Sequence, residues 1–520
     1  MKLSSGMVAI LLAAEAAGQT SMSRVEYEDR VKAAWLGQIM GALIGFQFEH
    51  KPAAAVRVSR LPPQYQAAPV DDDYYYEMVA IRGFEKYGLG MTVAQLGEQW
   101  KENNAGAWGS SEQARLLLAR GIKPPDTGHP RFNKLWFTIG PQFSADVYGM
   151  LTPGMPNLAG KLARELGHIN GYAEGTDGGV FVATMVSLAF VEKDSRLVVR
   201  RAAEILDPKS PYRQAIDMVI QLSENGHSAE EVASAVEDRW HFEYPATNNA
   251  VANGALVAMS VWFGEGDYLQ TVNHAFHAAD FTDADCNAAN AGAVVGAMGG
   301  MKVLPADLVA QLHDRIQGKE MGGVPLTPPV DESITELARR TADLGLQFVG
   351  ANGGTTSNGT VRVPMTTVKP QPAELFALGD LMKYWNPDWL LLRAGFGGAG
   401  GGMKGLRGNT YLDGEILATY PRDEVRGTLL TRTITPGTAS RLRVEVAADP
   451  GRVWMLEAYA NNDKLLTREI QGAAAGREFQ SIDIDLGKYA GQSTVLRLFQ
   501  RVLIPERVAG NAYWRNLKIE

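Results

Sequence analysis

From Tyr27 to about Ala342, apolar residues recur at intervals of three and four, as in Met78, Ile81 and Phe84, or Leu308, Leu312 and Ile316. That is the period of a helix with one face turned to a core. The pattern predicts an all-α domain over residues 22–350. Between Gly350 and Pro372 the chain becomes Gly, Thr, Asn, Val and Pro without helical period, and a short helical stretch, Ala373 to Tyr384, follows. The segment Gly395 to Gly405 is so rich in glycine that no regular element is expected within it. Residues 351–405 are therefore expected to connect two domains. Beyond them the period changes to two: Leu442, Val444 and Val446 alternate with Arg443 and Glu445, and Ile482, Ile484 and Leu486 alternate with aspartates. With Val495 to Phe499, Tyr513 to Ile519 and turn residues at Pro436-Gly437 and Ala490-Gly491, the pattern predicts an all-β, jelly-roll-like sandwich over residues 406–520. The fold class expected is multidomain, all-α followed by all-β.

Composition narrows the function classes. At 520 residues the chain exceeds what one core usually serves, and 45% apolar with 21% charged residues is ordinary globular composition. A net charge of -8 with no dense basic cluster excludes nucleic acid as the expected partner. The only cysteine, Cys286, leaves neither an intramolecular disulfide nor a CxxC site. No stretch supplies the about 20 uninterrupted apolar residues that span a bilayer. At the N-terminus, Lys2, the apolar run Met7 to Ala14 and the small residues Ala16, Ala17 and Gly18 resemble a short signal peptide over residues 1–21, although Glu15 intrudes. A secreted or periplasmic protein is expected; an Ala-rich extension on a cytoplasmic one is the alternative.

Two acidic clusters stand out. Asp71, Asp72 and Asp73 are adjacent, directly before a helical segment that runs to Tyr87. One of them is explained as a helix cap, but three mutually repelling carboxylates call for more, and a hard divalent cation would accept such oxygens. Asp283 and Asp285 lie two apart before a small-residue segment containing Ala288, Ala289, Ala291, Gly292, Gly296 and Ala297, which would let a helix pack very closely and hold the loop rigidly. A capped helix is the ordinary alternative for this pair.

Asp71-Asp72-Asp73, Asp283-Ala284-Asp285-Cys286-Asn287-Ala288-Ala289 and the early segment from Gly37 through Gly41 and Gly45 to Glu49 together resemble the ADP-ribosylglycohydrolase family. Ile139 to Gln142, Gly171 to Ala183 and Pro245 to Asn249 look like segments of its longer, often secreted branch. The resemblance covers roughly residues 26 to 350. It implies an orthogonal all-α fold whose two aspartate motifs meet around one or two Mg²⁺ ions that hold and polarise a ribose-containing substrate. Carried over, the metal ligands are Asp71, Asp72, Asp283 and Asp285, with Asp73 kept because the family's Thr-Asp-Asp-Thr pattern fits in either of two registers. The chain departs from that pattern: the flanking threonines are missing, Tyr74, Tyr75 and Tyr76 follow instead, and Cys286 stands where threonine is common. One metal site is expected to be weakened or lost.

The reaction implied is hydrolysis at an anomeric carbon through an oxocarbenium-like transition state. Glu49, Asp72 and Asp283 are the candidate catalytic residues, with Glu49 activating or orienting water. Gln142, Asp146, Glu174 and Asn249 are candidates for substrate contact. Gly395 to Gly400 fits GxGxxG without a following helix, and His274 with His277 lacks an HExxH partner, so neither is read as a site. Asp485 to Gly491 followed by Val495 to Leu498 looks like galactose-binding-like or carbohydrate-binding modules, where Trp454, Tyr459, Tyr489 and Trp514 would either stack on sugars or fill the core. The partners expected are an ADP-ribose-type or glycan substrate and a carbohydrate at the C-terminal module. An exported glycosidase using the same site on another furanoside, and a carbohydrate-binding protein that has lost catalysis, are the alternatives.

Overall fold

The computed structural model describes residues 19–62, 65–277, 280–396, 408–505 and 507–520. Two helices organise the first domain, Arg24–Gly45 and Ala284–Gly299. Their shared face is made of residues without bulk. A Cβ on Gly45 would lie 2.6 Å from the Ala284 carbonyl oxygen and 2.6 Å from the Asp285 Cα, and Gly37 and Gly41 meet the backbone of Gly292 and Ala288 closer still. In the other direction, Gly292 and Gly296 meet the backbone of Gly37 and Ala33. Glycine or alanine at every fourth position therefore lets two backbones touch over about three turns, the geometry expected from the small residues after Asp285.

Around this pair the helices Asp72–Tyr87, Glu174–Ala189, Ala250–Gly264 and Ile334–Ala351 complete an all-α layer with one continuous apolar core. The helix Glu174–Ala189 is buried along its whole length, which removes the amphipathic signature a surface helix would show. The helical period read through Leu308, Leu312 and Ile316 does not continue as a helix. Ala306–Gln311 is helical, but Arg315–Met321 and Val324–Ser333 form a hairpin, and Ile316 is buried as a strand residue. Gly322 and Gly323, both at positive φ, make its turn. The strand Ala68–Pro69 pairs in parallel with this hairpin and delivers the chain to Asp71.

Within the stretch expected to join the domains, Thr355–Ser357 and Thr360–Pro364 form a three-stranded sheet with Gln19–Ser23, tying the two ends of the helical domain together. In the segment Ala373 to Tyr384, a 3₁₀ turn, Leu378–Leu381, leads into the one-turn helix Met382–Trp385. The signal-like residues 1–18 and most of the Gly-rich segment, 397–407, lie outside the described residues.

The C-terminal region is a sandwich of two five-stranded antiparallel sheets. One runs Asp463–Gln471, Val453–Ala460, Thr494–Arg501, Thr428–Ile434, Leu390–Leu392; the other runs Gln480–Asp485, Arg441–Ala448, Ala512–Ile519, Ile416–Thr419, Tyr411–Asp413. The alternating residues pair as their pattern demands, Leu442 opposite Ile484 and Val444 opposite Ile482, and all four are buried between the sheets. Trp454 and Trp514 pack against each other in that core with ring centroids 5.1 Å apart, and Tyr489 is buried beside them, so these three are core residues and not a stacking platform. The two domains meet through aromatic rings, Phe376 on Trp136 at 5.2 Å and Phe396 on Phe137 at 4.3 Å. Among the described residues no helix is long and apolar enough to cross a membrane.

The helix contact generates a direct test. Gly41→Val should destabilise the helical domain by about 3 kcal/mol or more, because rigid backbone and not a side chain opposes the added methyls. Gly90→Ala, where no atom lies within 4 Å of the added carbon, should stay within about 0.5 kcal/mol of wild type. Chemical unfolding followed by helical circular dichroism measures both.

Candidate active site

The helix contact ends at the chemistry. Glu49 follows the Arg24–Gly45 helix after a 3₁₀ turn, Phe46–Phe48, and Asp283 stands at the N-terminus of its partner helix. The two loops are stitched by backbone hydrogen bonds, His50 N donating to Thr282 O at 2.9 Å and Phe281 N to Lys51 O at 2.8 Å. Phe48 stacks on Phe276 with centroids 4.7 Å apart beneath them. The Asp283 side chain makes no cap hydrogen bond, so its carboxylate is free of the ordinary role for that position. Instead its backbone N–H donates to Asn253 Oδ1 at 3.0 Å, while Asn287 Nδ2 donates to the same oxygen at 2.8 Å.

Asp71 does act as a cap: its Oδ1 accepts from Asp73 N at 3.2 Å. The three tyrosines that follow Asp73 anchor this helix. Tyr74 donates to Pro69 O, Tyr75 to Asn103 O at 3.1 Å, and Tyr76 accepts from Ala107 N at 3.0 Å. The last of these bonds fixes the loop that carries Trp108.

A cavity of about 290 Å³ results. Glu49, Asp71, Asp72, Asp283, Asp285 and Cys286 form its acidic wall, and Trp108, Ser110, Ser111 and Asn248 face them. Ligand atoms of Glu49, His50 and Asp283 lie within 4.8 Å of one another, as do those of Asp283, Asp285 and Cys286. Asp73 does not line the cavity: it is fully buried behind the wall, where the Cys286 thiol is the one group beside its carboxyl that lowers its pKa. Oδ1 of Asp285 is buried and unpartnered. Carboxylates left this way are costly unless a cation or a proton joins them.

The electrostatics say the same. Burial raises the pKa of Asp72, Asp73 and Asp285 well above the usual range, and the charges of neighbouring carboxylates add to it. Burial also raises Asp71 to about 6, with a contribution from Asp283, and Glu49 to about 7, again with Asp283 as the main charge. Asp283 is the exception. Burial pushes it up, but contact with His50 and the imidazolium charge, at an Nε2 to Oδ2 distance of 3.7 Å, hold it below the ordinary carboxylate value. His50 responds in kind: burial disfavours its charge, and the pull of Asp283 and Glu49 outweighs burial to raise its pKa. Burial and the surrounding carboxylates keep the Cys286 thiol protonated. Five carboxylates with one imidazole among them fit a hard divalent cation, which takes several oxygen ligands. Asp283 belongs to both close groups of ligand atoms, Glu49 and His50 on one side and Asp285 and Cys286 on the other, while Asp71 and Asp72 line the same cavity and Asp73 lies behind it.

The structure thus brings Glu49, Asp71, Asp72, Asp283 and Asp285 together. Gln142, Asp146, Glu174 and Asn249 do not line this cavity, and each has a structural reason. Gln142 accepts from Tyr212 OH at 2.9 Å inside the core, and Asn249 caps the helix Ala250–Gly264 by accepting from Val251 N at 2.8 Å. Asp146 Oδ2 accepts from Asn290 Nδ2 at 2.6 Å and Gln38 Nε2 at 3.1 Å, and Gln38 also donates to Asp73 O at 2.8 Å, so Asp146 braces the acidic helix from below. Glu174, raised by burial to about 8, lines a separate cavity with Tyr244 and Phe396. Asn248, one residue from the expected asparagine, reaches the cavity instead. His50 and the Trp108 to Ser111 stretch carry no pattern that flags them; adjacency to Glu49 and a Gly-Ser-Ser helix start are their only signals.

The ADP-ribosylglycohydrolase family model matches residues 23–347. Among solved structures, one titled "ADP-ribosylglycohydrolase-related protein complex" is similar at 17% identity and a TM-score of 0.41, covering 62% of this chain and 98% of that one. Another, titled "CBM4 structure and function", is similar at 12% identity and a TM-score of 0.19, covering 26% of this chain and 88% of that one. No curated protein matches the chain. With the family model spanning more than half of its 520 residues, the chain belongs to the ADP-ribosylglycohydrolase family.

Proposed function

We propose that the protein is a divalent-cation-dependent hydrolase that cleaves a glycosidic bond at the anomeric carbon of a ribose-like sugar, with Mg²⁺ as the expected ion. The observation that carries this reading is the convergence of Glu49, Asp71, Asp72, Asp283 and Asp285 on one cavity from two distant parts of the chain. A hard cation bound there would offset the carboxylate charge and polarise the sugar hydroxyls. Glu49, with a pKa near 7 and about a third of its side chain exposed, is suited to take a proton from water attacking the anomeric carbon. The Asp283 charge favours proton uptake by Glu49, and His50 keeps Asp283 itself ionised. Phe46, Phe143 and Trp108 line the cavity with apolar surface against which a furanose ring packs, limiting water to the acidic side. Export from the cytoplasm, expected from residues 1–21, belongs to the same proposal.

Two variants separate binding from proton transfer. Glu49→Gln should lower kcat on a ribofuranoside substrate by about 100- to 10,000-fold with cation affinity largely kept. Asp285→Asn should abolish turnover and weaken Mg²⁺ binding by more than about tenfold in calorimetry. The metal-free Asp285→Asn protein should melt no lower than wild type, because a buried carboxyl group crowded by other carboxylates has been replaced by a neutral amide of the same shape; turnover retained in Asp285→Asn would refute the site.

The pH dependence has a definite sign. Asp71 at about 6 and Glu49 at about 7 hold protons in the native state that the unfolded chain has released by roughly pH 5. The native state binds more protons in that window, so this centre lowers the stability of the metal-free protein as pH rises through it. Mg²⁺ should therefore raise Tm clearly at about pH 8 and hardly at about pH 5, where it must displace protons. Equal shifts at both pH values would contradict the account.

A further inference from the structure

A second, larger cavity of about 580 Å³ lies where the helical domain meets the β-sandwich, within the range of about 300–1,000 Å³ typical of ligand clefts. It adjoins the acidic cavity, because Trp108 and Gly109 line both. The helix Gly109–Ala119, whose first turn borders the acidic cavity, presents Glu112 and Gln113 to the second one. The sandwich supplies Tyr411, Asp449 and Arg452.

The walls are held in place. Asn409 Nδ2 donates across the domain boundary to Lys134 O at 2.9 Å, and Asn511 Nδ2 donates to Asn409 O at 2.6 Å. Asp449 accepts from Asn511 N at 2.7 Å and from Tyr513 OH at 2.5 Å. The Trp108 indole is pinned by the hairpin turn, where a Cβ on Gly322 would lie 2.6 Å from its ring, and Lys134 Nζ sits 5.5 Å from the Tyr411 ring centroid.

Among the described residues, the side chains of Glu112, Gln113 and Arg452 make no hydrogen bond or ion pair, although all three line the cavity and none is fully exposed. An acid, an amide and a guanidinium beside two aromatic rings form the mixture of acceptors and donors that vicinal hydroxyls satisfy, with flat apolar faces for the C–H side of a sugar ring. Charge discriminates against a polyphosphate: Glu112 and Asp449 balance Lys134 and Arg452, which leaves no net positive field.

We propose that this cavity is a saccharide subsite, built jointly by the two domains, that binds sugar units beyond the bond cleaved at the acidic centre. The substrate is then a glycan or oligosaccharide. The direction of the chain rests on the hydrolase reading above; the binding of saccharide does not.

The test is calorimetry of the full chain with arabinopentaose, xylohexaose, cellohexaose and chitohexaose, each against its monosaccharide, and with ADP-ribose. At least one oligosaccharide should bind about tenfold or more tightly than its monosaccharide, and Arg452→Ala and Tyr411→Ala should each erase that advantage, a loss of about 1.4 kcal/mol or more. Thermal melts of both variants confirm folding. Failure of all four oligosaccharides to exceed their monosaccharides would overturn the proposal, as would an advantage that survives both substitutions. Binding of ADP-ribose that depends on Arg452, without saccharide binding, would overturn it in favour of a diphosphate site. Saccharide binding by a protein that takes up no divalent cation would refute the hydrolase reading alone and leave the subsite standing.

Discussion

The backbone contact between the helices Arg24–Gly45 and Ala284–Gly299 is the constraint on which the site depends. Gly37, Gly41 and Gly45 on one side and Ala284, Ala288 and Gly292 on the other leave no side chain between the two axes. One helix leads into Glu49 and the other starts at Asp283, so the contact that fixes their register also fixes the spacing of the carboxylates. Glycine is a poor helix former, costing about 1 kcal/mol per residue relative to alanine, and the chain accepts that cost along a full helix face. The return is a rigid base for charges that would otherwise move apart.

Those charges oppose folding. Like carboxylates in a buried wall raise one another's pKa, and His50, 3.7 Å from both Asp283 and Glu49, holds only Asp283 below the ordinary value. The supporting structure is correspondingly dense: the three tyrosines after Asp73 tie the acidic helix to three separate backbone sites, and Gln38, Asp146 and Asn290 brace it from below. A protein that clusters uncompensated acids this way gains stability from whatever cation or proton joins them. Cation binding, acidity and stability are thus three views of one balance, and the Trp108 loop, held by Tyr76, links that balance to the cleft shared with the β-sandwich.

Much of this was legible in the sequence. The change from a period of three or four to a period of two separates the domains, and the strands around Val444 and Ile482 pair as their alternation requires. The small residues after Asp285 announced close packing, and both acidic clusters reached one cavity. What escaped was long-range or lacked a pattern. Strand Gln19–Ser23 pairs with Thr360–Pro364, more than 300 residues away, and no local signal carries that partnership. The run through Ile316 kept a helical spacing while its glycines turned the chain into a hairpin. Gln142, Asp146 and Asn249 are polar residues that buried backbone and core networks consume, whereas Asn248 and His50 reach the site only because the neighbouring loops fold back.

The most direct test is anomalous diffraction at the manganese edge from crystals soaked in Mn²⁺, a hard divalent ion of similar ligand preference to Mg²⁺. The account predicts an anomalous peak enclosed by Asp71, Asp72, Asp283 and Asp285, absent in Asp285→Asn. No peak there, or one only among surface acids, would contradict it.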